Sequence, residues 1–352
     1  MVLKTDADDL LCLMMEDMKI QSSIYKPTLF WEAASRDIIA DLETHGFQSF
    51  RALLSMLHFF VPTYGIPGNN LSIEDLDHLE NVVLKGTTRG SKKHMTIMHM
   101  LSGESWALAD YRVYLAGNDP AKQPNLVGVS ESKIGNPAEQ FCFDKRFFSR
   151  SFLNYIHGLC FLKQNIDTSS IRTVLEIGGG FGTLGEILHQ SGDYAYMDVD
   201  IPPTAAVASF YLNQIYGNDF IDYRTSRARS DVPVPALGTS MVLCPWQLPN
   251  LKGKIDLFVN FISFQEMEPP VVERYLQQVD RLNARYILLR NLREGKAKKS
   301  EKIAFGVETP ITGTDYDRFL GNYRLLATNV IPFGYRTIDG FHSELRLYHR
   351  FQ

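Results

Sequence analysis

One stretch of the chain, VLEIGGGFGTLGEIL at positions 174–188, limits the fold more than any other. A short apolar run is followed by five glycines within eight positions, after which the apolar pattern resumes. This order predicts a strand that ends at Ile177, a turn of bare backbone, and a helix that begins near Thr183. Backbone N–H groups and the positive end of the helix would then lie at the carboxyl edge of the strand, where open α/β sheets bind ligands. We therefore expect a polar or anionic ligand group at this turn.

Short β-rich runs alternate with helical patterns from Ser170 to the end of the chain. Helical patterns separate most of the runs, which predicts an α/β fold with a doubly wound, mostly parallel sheet. The last two runs are joined only by PFGYRTIDGFH, which is too short for a helical crossover, so the last strand is expected to be antiparallel. The seven predicted strands are TVLEI, AYMDVDI, SMVLC, IDLFVNFISF, ARYILLRN, YRLLATNVI and SELRLYHRF.

The part of the chain before the sheet has apolar positions that recur at helical spacing. We therefore divide the 352 residues into a helical N-terminal region, 1–135, and a sheet-containing domain, 136–352. Composition does not decide whether the N-terminal region covers a ligand site or forms a homo-oligomer interface.

Charge and hydropathy argue against several classes of protein. No window reaches the roughly 18 consecutive apolar residues of a membrane span, and the start MVLKTDADDL is acidic where a secretion signal would be basic, so we expect a cytoplasmic protein. The net charge of -4 gives no general attraction for phosphate backbones, and nucleic acid is not the expected partner. The four cysteines lie in no CxxC or CxxH spacing, so no zinc site is predicted.

The glycines can be read in two registers. Gly178, Gly180 and Gly182 read as GxGxG, whereas the set that starts at Gly180 and ends at Gly185 reads as the GxGxxG dinucleotide fingerprint. A dinucleotide turn starts directly after the strand, and from Gly178 its third glycine would fall at position 183, which is threonine. The GxGxG register therefore fits better.

Glu176 directly before the turn, GxGxG, and an acid at the end of the next strand together resemble the signature of class I S-adenosylmethionine-dependent methyltransferases. The resemblance implies a Rossmann-like fold in which the turn approaches the methionine part of the cofactor and the acid binds both ribose hydroxyls. Asp198 and Asp200 are both candidates for that acid, and alternation along the strand places them on one face. We favour Asp200 because it meets the turn at the strand's end. The competing interpretation is a buried carboxylate that caps the following helix.

Three stretches read together, EIGGGFGTLGEIL, DVDIPPTAAVASFYLNQIYG and DLFVNFISFQEMEPPVVERYL, are similar to a bacterial family of sugar O-methyltransferases of polysaccharide and glycoside biosynthesis. The similarity extends from about Val127 to the C-terminus. It implies methyl transfer from S-adenosyl-L-methionine to a hydroxyl of a nucleotide-sugar, glycoside or polysaccharide. The alternatives are an RNA, protein or natural-product methyltransferase, and a non-catalytic partner protein with the same fold.

A sugar hydroxyl needs a nearby base, and the carboxyl end of the fourth predicted strand offers Glu266 first and Glu268 second. Both acids could instead cap the helix that begins near Pro269. His342 is a further candidate base if the final hairpin folds over the crevice. A Mg²⁺ ion held by carboxylates and histidine is a metal-assisted alternative, but no tight acidic cluster follows the fourth or fifth strand and no metal ligands are assigned.

The remaining predicted contacts lie at strand exits or in SESKIGNP, a segment expected to cross the mouth of the cofactor site. For each of these residues the alternative to a ligand contact is a role in packing or turn formation. The basic run after the fifth strand could hold an acidic acceptor or be a solvated loop. The predicted cofactor contacts are Trp246, beside the adenine, and Asn260; the predicted substrate contacts are Glu131, Gln265, Arg290 and Asn291.

Overall fold

A computed structural model describes residues 5–60, 73–300 and 306–351. Helices dominate the described residues up to 117 and alternate with strands in those from 141 onwards. Within the described ranges the α-helices, α1 to α12 in chain order, are Asp6–Lys19, Leu29–His45, Leu54–Phe59, Ile73–His78, Lys92–Ser102, Glu104–Gly117, Arg150–Asn165, Thr183–Ser191, Thr204–Tyr216, Tyr223–Ser226, Pro269–Arg281 and Gly313–Phe319.

The strands include all seven that the sequence predicts, together with short additional ones. The strands of the described chain, β1 to β13 in order, are Phe141–Phe143, Arg146–Phe148, Thr173–Ile177, Ala195–Val199, Phe220–Ile221, Val232–Pro233, Ser240–Leu243, Leu251–Lys252, Leu257–Phe261, Tyr286–Leu292, Tyr323–Asn329, Tyr335–Arg336 and His342–Arg350.

The central sheet has the order β11-β13-β10-β9-β3-β4-β7-β5, with β12 paired to β13. Adjacent strands from β10 to β5 run parallel, whereas β13 is antiparallel to both of its long neighbours, β10 and β11. The predicted α/β fold with an antiparallel last strand is confirmed, and the order of the seven predicted strands is that of the Rossmann-like methyltransferase fold. The predicted strand number was too small, because two-residue strands at β5 and β12 extend the sheet to nine.

Two hydrophobic cores cover the two faces of the sheet. One core contains side chains of α11 and α12, and the other contains side chains of α7, α8 and α9. The central strands β3 and β4 are buried along nearly their whole length, as expected for parallel strands between two helical layers. Their carboxyl ends therefore meet at one edge of the sheet, where the loops are free to form a site.

The N-terminal helices belong to the second of these cores. Leu10, Ile38 and Tyr114 are buried in the same cluster as Val174 of β3. Polar contacts also tie α1 to α10, since Asp17 accepts hydrogen bonds from Tyr223 Oη at 2.8 Å and from Arg227 Nε at 2.6 Å. The core thus continues across the predicted boundary near residue 135, and the division there stays a prediction from sequence texture. No helix among the described residues is long and apolar enough to cross a membrane.

Candidate functional site

A cavity of about 570 Å³ lies at the carboxyl edge of the sheet. Its floor is the turn after β3 together with the ends of β4 and β9. The N-terminal region supplies one side through Phe30, Trp31, Phe59 and Phe60, which we call the aromatic wall, and residues 335–341 supply part of another. The sequence-predicted ligand edge and the cavity therefore coincide.

The turn after β3 needs glycine for backbone conformation and for space. Gly178, Gly180 and Gly182 have φ of 74°, 65° and 95°, in the left-handed region that other residues rarely adopt. A Cβ at Gly178 would lie 2.0 Å from Ser263 Oγ, and one at Gly182 would lie 2.7 Å from the Leu212 side chain. Gly178 and Gly180 line the cavity, whereas Gly182 does not and instead allows α8 to pack closely.

Of the two candidate acids on β4 and at its end, Asp200, directly after the strand, lines the cavity. Its Oδ2 accepts a hydrogen bond from Gly180 N at 3.1 Å, and its Oδ1 accepts one from Ile201 N at 2.7 Å. Burial raises the pKa of this carboxyl from 3.8 to about 7, although the two backbone donors act in the opposite direction. The glycine turn and the carboxylate are thus joined by a hydrogen bond at the cavity floor.

Glu176 and Asp198, both predicted to contact a cofactor, do not line the cavity. Both side chains are buried beneath the turn. Glu176 accepts hydrogen bonds from Tyr155 Oη at 2.7 Å and from Tyr196 Oη at 2.6 Å, and Asp198 Oδ1 accepts one from Gly179 N at 3.1 Å. Alternation along the strand places Asp198 and Asp200 on the same face. Only Asp200, which follows the last residue of the strand, lies at the ligand edge.

An amide network holds the neighbouring strand ends together. Asn260 Nδ2 donates to Ile177 O at 2.8 Å, and Asn291 Nδ2 donates to Asn260 Oδ1 at 3.0 Å. Gln265 N donates to Asn291 Oδ1 at 3.1 Å, and Gln265 Oε1 accepts from Leu292 N at 2.7 Å. Asn260 and Asn291 do not line the cavity, whereas Gln265 does. The hydrogen bonds of these amides fix the floor of the cavity, and their predicted ligand contacts stay predictions.

Ile262 follows β9 with a φ of 74° and a ψ of -39°. A β-branched side chain at positive φ is strained, and such strain persists only where the surroundings impose it. Here Ile262 N donates to Arg290 O at 2.6 Å, which fixes the bend. Ile262 lines the cavity, so the strained residue lies at the candidate site itself.

Glu266 is the predicted base that reaches the cavity. Its Oε1 accepts a hydrogen bond from Lys296 Nζ at 2.6 Å, and its carbonyl oxygen accepts one from Thr28 Oγ1 at 3.1 Å. Lys296 Nζ also lies 3.8 Å from the centroid of the Phe30 ring. The ion pair therefore joins the turn after β9 to the aromatic wall.

The two other predicted bases lie outside the cavity lining. Glu268 accepts hydrogen bonds from Glu308 N at 2.9 Å and Thr309 N at 3.1 Å, so it fixes a neighbouring loop. His342 Nδ1, at the start of β13, lies 2.7 Å from Glu294 Oε1. The structure thus leaves Glu266 as the one member of the predicted set that lines the cavity.

Three further predicted contacts are also absent from the cavity lining. Glu131 is buried and accepts a hydrogen bond from Arg51 Nη2 at 2.5 Å, which attaches SESKIGNP to the N-terminal region. Arg290 is fully buried, donates to Asn154 and to Phe333 O, and lies over the Phe261 ring. Trp246 packs against the core, and Pro245 beside it reaches the cavity instead.

The aromatic wall was missed by sequence reasoning. Its residues were read only as the apolar face of helices, and periodicity cannot tell a helix face that meets a core from one that meets a cavity. Thr337 and Asp339, in the loop before β13, also line the cavity and were not predicted. Among the described residues, no group of three or more His, Cys, Asp or Glu could hold a metal ion.

No family model matches the chain. No curated protein matches it either. Solved structures that resemble it include magnesium protoporphyrin IX methyltransferase from Synechocystis PCC 6803 with bound SAH, at 14% identity and a TM-score of 0.40, covering 57% of this chain and 84% of that one. The mitomycin 7-O-methyltransferase MmcR is 13% identical, with a TM-score of 0.37 and coverage of 58% and 55%. The glycopeptide N-methyltransferase MtfA, complexed with S-adenosyl-L-methionine, is 10% identical, with a TM-score of 0.37 and coverage of 55% and 86%. The fold assignment rests on the strand order rather than on these scores, and the sugar O-methyltransferase family is not confirmed by them.

Proposed function

We propose that the protein is an S-adenosylmethionine-dependent O-methyltransferase that acts on a hydroxyl of a sugar or glycoside. One observation carries the proposal: the glycine turn after β3 and the carboxylate of Asp200 after β4 line the same cavity at the ligand edge of the sheet. A carboxylate can accept hydrogen bonds from two neighbouring hydroxyls, such as those of a ribose.

The residues on the cavity floor suit such a cofactor. Gly178 and Gly180 present bare backbone to the cavity, so a ligand can approach the turn closely. The cavity also lies within the range of about 300–1,000 Å³ that is typical of small-molecule and cofactor sites. When bound, S-adenosylmethionine supplies a methyl group that is already activated by the sulfonium. The remaining tasks of the protein are to align the acceptor, exclude water and accept a proton.

Glu266 is the group we assign to proton transfer. Lys296 occupies its Oε1, and Oε2 receives no hydrogen bond from another described side chain or backbone group. The free oxygen lies on a side chain that lines the cavity. During methyl transfer from a bound donor, this carboxylate would accept the proton of the acceptor hydroxyl and pass it to solvent.

A sugar acceptor is supported by the mixture of groups around the cavity. Trp31 and the other members of the aromatic wall offer flat apolar faces, and Thr337 and Asp339 offer hydrogen-bonding groups. Ligand sites commonly combine a predominantly apolar lining with a few polar groups that fix orientation. A pyranose ring has one face of C–H groups and a rim of hydroxyls, so it suits this combination.

Calorimetric titration with S-adenosylmethionine tests the cofactor assignment. We expect micromolar-scale binding by the wild type and a loss of at least roughly tenfold in Asp200→Asn, which keeps the shape but removes the charge. Asp193→Asn, at an exposed aspartate with no role in the cavity, is the matched control. If Asp200→Asn binds S-adenosylmethionine with the affinity of the wild type, the ligand binds elsewhere.

A labelled methyl donor tests the acceptor class. It would be incubated with nucleotide-sugars, polysaccharide fractions, total RNA and protein, and label in the carbohydrate fractions is the expected result. Label found only in RNA or protein would refute the sugar assignment. With a carbohydrate acceptor, Glu266→Gln should lower turnover by about 10²-fold or more. Glu268→Gln, two residues away but outside the cavity lining, should leave turnover near the wild-type value.

A further inference from the structure

Three carboxylates lie together beneath and beside the glycine turn: Glu176, Asp198 and Asp200. Glu176 and Asp198 are direct partners in the parallel register of β3 and β4. Both face the peptide of Gly179, since a Cβ there would lie 2.5 Å from Asp198 Oδ1 and 2.9 Å from Glu176 Oε2. We call these three residues the acid cluster.

Every hydrogen-bond donor to the acid cluster in the described chain is neutral. Tyr155 and Tyr196 donate to Glu176, and backbone N–H groups donate to the two aspartates. Asp198 Oδ2 is buried and has no hydrogen-bond partner. The cluster thus has an unsatisfied oxygen, and no lysine or arginine among the described residues donates a hydrogen bond to it.

Charge repulsion in this setting favours retention of protons. Neighbouring carboxylates in a weakly polar environment cannot all ionise at neutral pH, and they titrate as a unit. Burial raises the pKa of Glu176 to about 7, and burial together with the charges of Asp200 and Glu176 raises the pKa of Asp198 well above 3.8. Glu266 faces the cluster from the turn after β9 and adds to the repulsion at Asp200.

We propose that the acid cluster distinguishes the two charge states of the cofactor, releasing a proton when cationic S-adenosylmethionine binds and keeping it when neutral S-adenosylhomocysteine binds. The inference rests on the proposed function. It makes Asp198 a residue that determines specificity for the charged donor without lining the cavity. After methyl transfer, the loss of the sulfonium charge would let the cluster take a proton back from solvent.

The physical reason is the difference between the two ligands. Donor and product share the adenosine, the amino group and the carboxylate, and they differ by one methyl group and one positive charge. A nearby cation favours the ionised form of a carboxylate, whereas a thioether does not. Proton release from the acid cluster should therefore depend on the sulfonium charge and not on whether the cavity is occupied.

Titration calorimetry in two buffers of different ionisation enthalpy measures the protons exchanged on binding. At pH 7 we expect roughly half a proton released per S-adenosylmethionine, and close to none per S-adenosylhomocysteine. Affinity for the donor should accordingly rise with pH between about 6 and 8, while affinity for the product stays nearly constant. Equal proton counts for both ligands would overturn the inference alone. Absence of binding by either ligand would overturn the proposed function as well.

Substitution then tests the assignment to the cluster. In Asp198→Asn we expect the proton release to fall towards zero and the preference for donor over product to drop roughly three- to tenfold. Glu176→Gln, which keeps an oxygen for one tyrosine, provides a second variant if the first is unstable, and thermal unfolding reports whether each is folded. Asp193→Asn is the exposed control. A folded cluster variant with the wild-type proton count would refute the assignment.

Discussion

Replacement of Gly178 by alanine should destabilise the protein well beyond the backbone strain of an ordinary turn glycine. The Cβ would lie 2.0 Å from Ser263 Oγ and 2.5 Å from Ser263 Cβ. Rotation of the serine side chain relieves the first overlap but not the second, so the backbone at position 263 must move. That movement breaks the hydrogen bonds of Ser263 Oγ with Asn260 Nδ2, at 2.6 Å, and with Ile177 O, at 3.2 Å.

The magnitude follows from these separate costs. Alanine at a φ of 74° costs about 1–2 kcal/mol, and each neutral hydrogen bond that is lost costs about 1 kcal/mol. We therefore expect Gly178→Ala to lower the free energy of unfolding by about 3–4 kcal/mol. Gly86 has a φ of 75° with nothing within 4 Å of a built Cβ, so Gly86→Ala should show the strain alone, about 1–2 kcal/mol.

Urea-induced unfolding at pH 7 gives both values, provided that the transitions are two-state. The double variant Gly178→Ala/Ser263→Gly removes the overlap and should be more stable than the sum of the two single changes predicts. Since Gly178 lines the cavity, its alanine variant should also bind S-adenosylmethionine more weakly than Gly86→Ala does. If the two glycine variants lose the same free energy of unfolding, the proposed overlap with Ser263 is wrong.

Three other changes test separate parts of the structure. Lys296→Met removes the ammonium held 2.6 Å from Glu266; turnover should fall roughly tenfold while calorimetric affinity for S-adenosylmethionine stays within about twofold, and unchanged turnover would dismiss a role for the pair. Arg51→Met leaves the carboxylate of Glu131 buried without its cation, so urea unfolding should show a loss of about 3–5 kcal/mol, and a loss below about 1 kcal/mol would count against this tie. Burial raises the pKa of Glu139 from 4.5 to about 8, so between these pH values the folded state binds a proton that the unfolded state releases. The contribution of this group to the free energy of unfolding is therefore fully present below about pH 4.5 and is lost as the pH rises to about 8. Glu139→Gln removes this loss and should gain up to about 4–5 kcal/mol relative to wild type between pH 5 and pH 9; a constant difference across that range would contradict it.

Most of the fold could be predicted from the sequence because its signals are local. All seven predicted strands exist, and the short link before the last one was enough to predict the antiparallel pairing. The strands β5 and β12 were missed because two residues carry no periodicity. The shared core of the N-terminal helices and the sheet was also missed, since it depends on contacts between residues far apart in the chain.

The parts of the candidate site that depend on backbone conformation could be predicted from the sequence. The parts that depend on the direction of a side chain were harder to predict. The glycine turn and Asp200 were located because a left-handed turn restricts residue choice and a strand end has a fixed place in the sheet. Arg290 and Asn291 were placed at the correct sheet edge, but both side chains are buried in contacts below the cavity. Sequence gives no information on which side of the edge such a side chain turns, because that choice depends on the partners that the fold supplies.

The continuous core beneath the aromatic wall has a consequence for how the ligand preference of the cavity can change over evolution. Phe50 of the N-terminal region contacts Phe181 of the glycine turn with their ring centroids 5.5 Å apart, so the two regions are packed as one interior. Exchange of the first 135 residues for those of a relative would therefore mismatch this interior as well as the cavity. Single replacements at the rings that line the cavity would change its shape and leave the packing behind them intact.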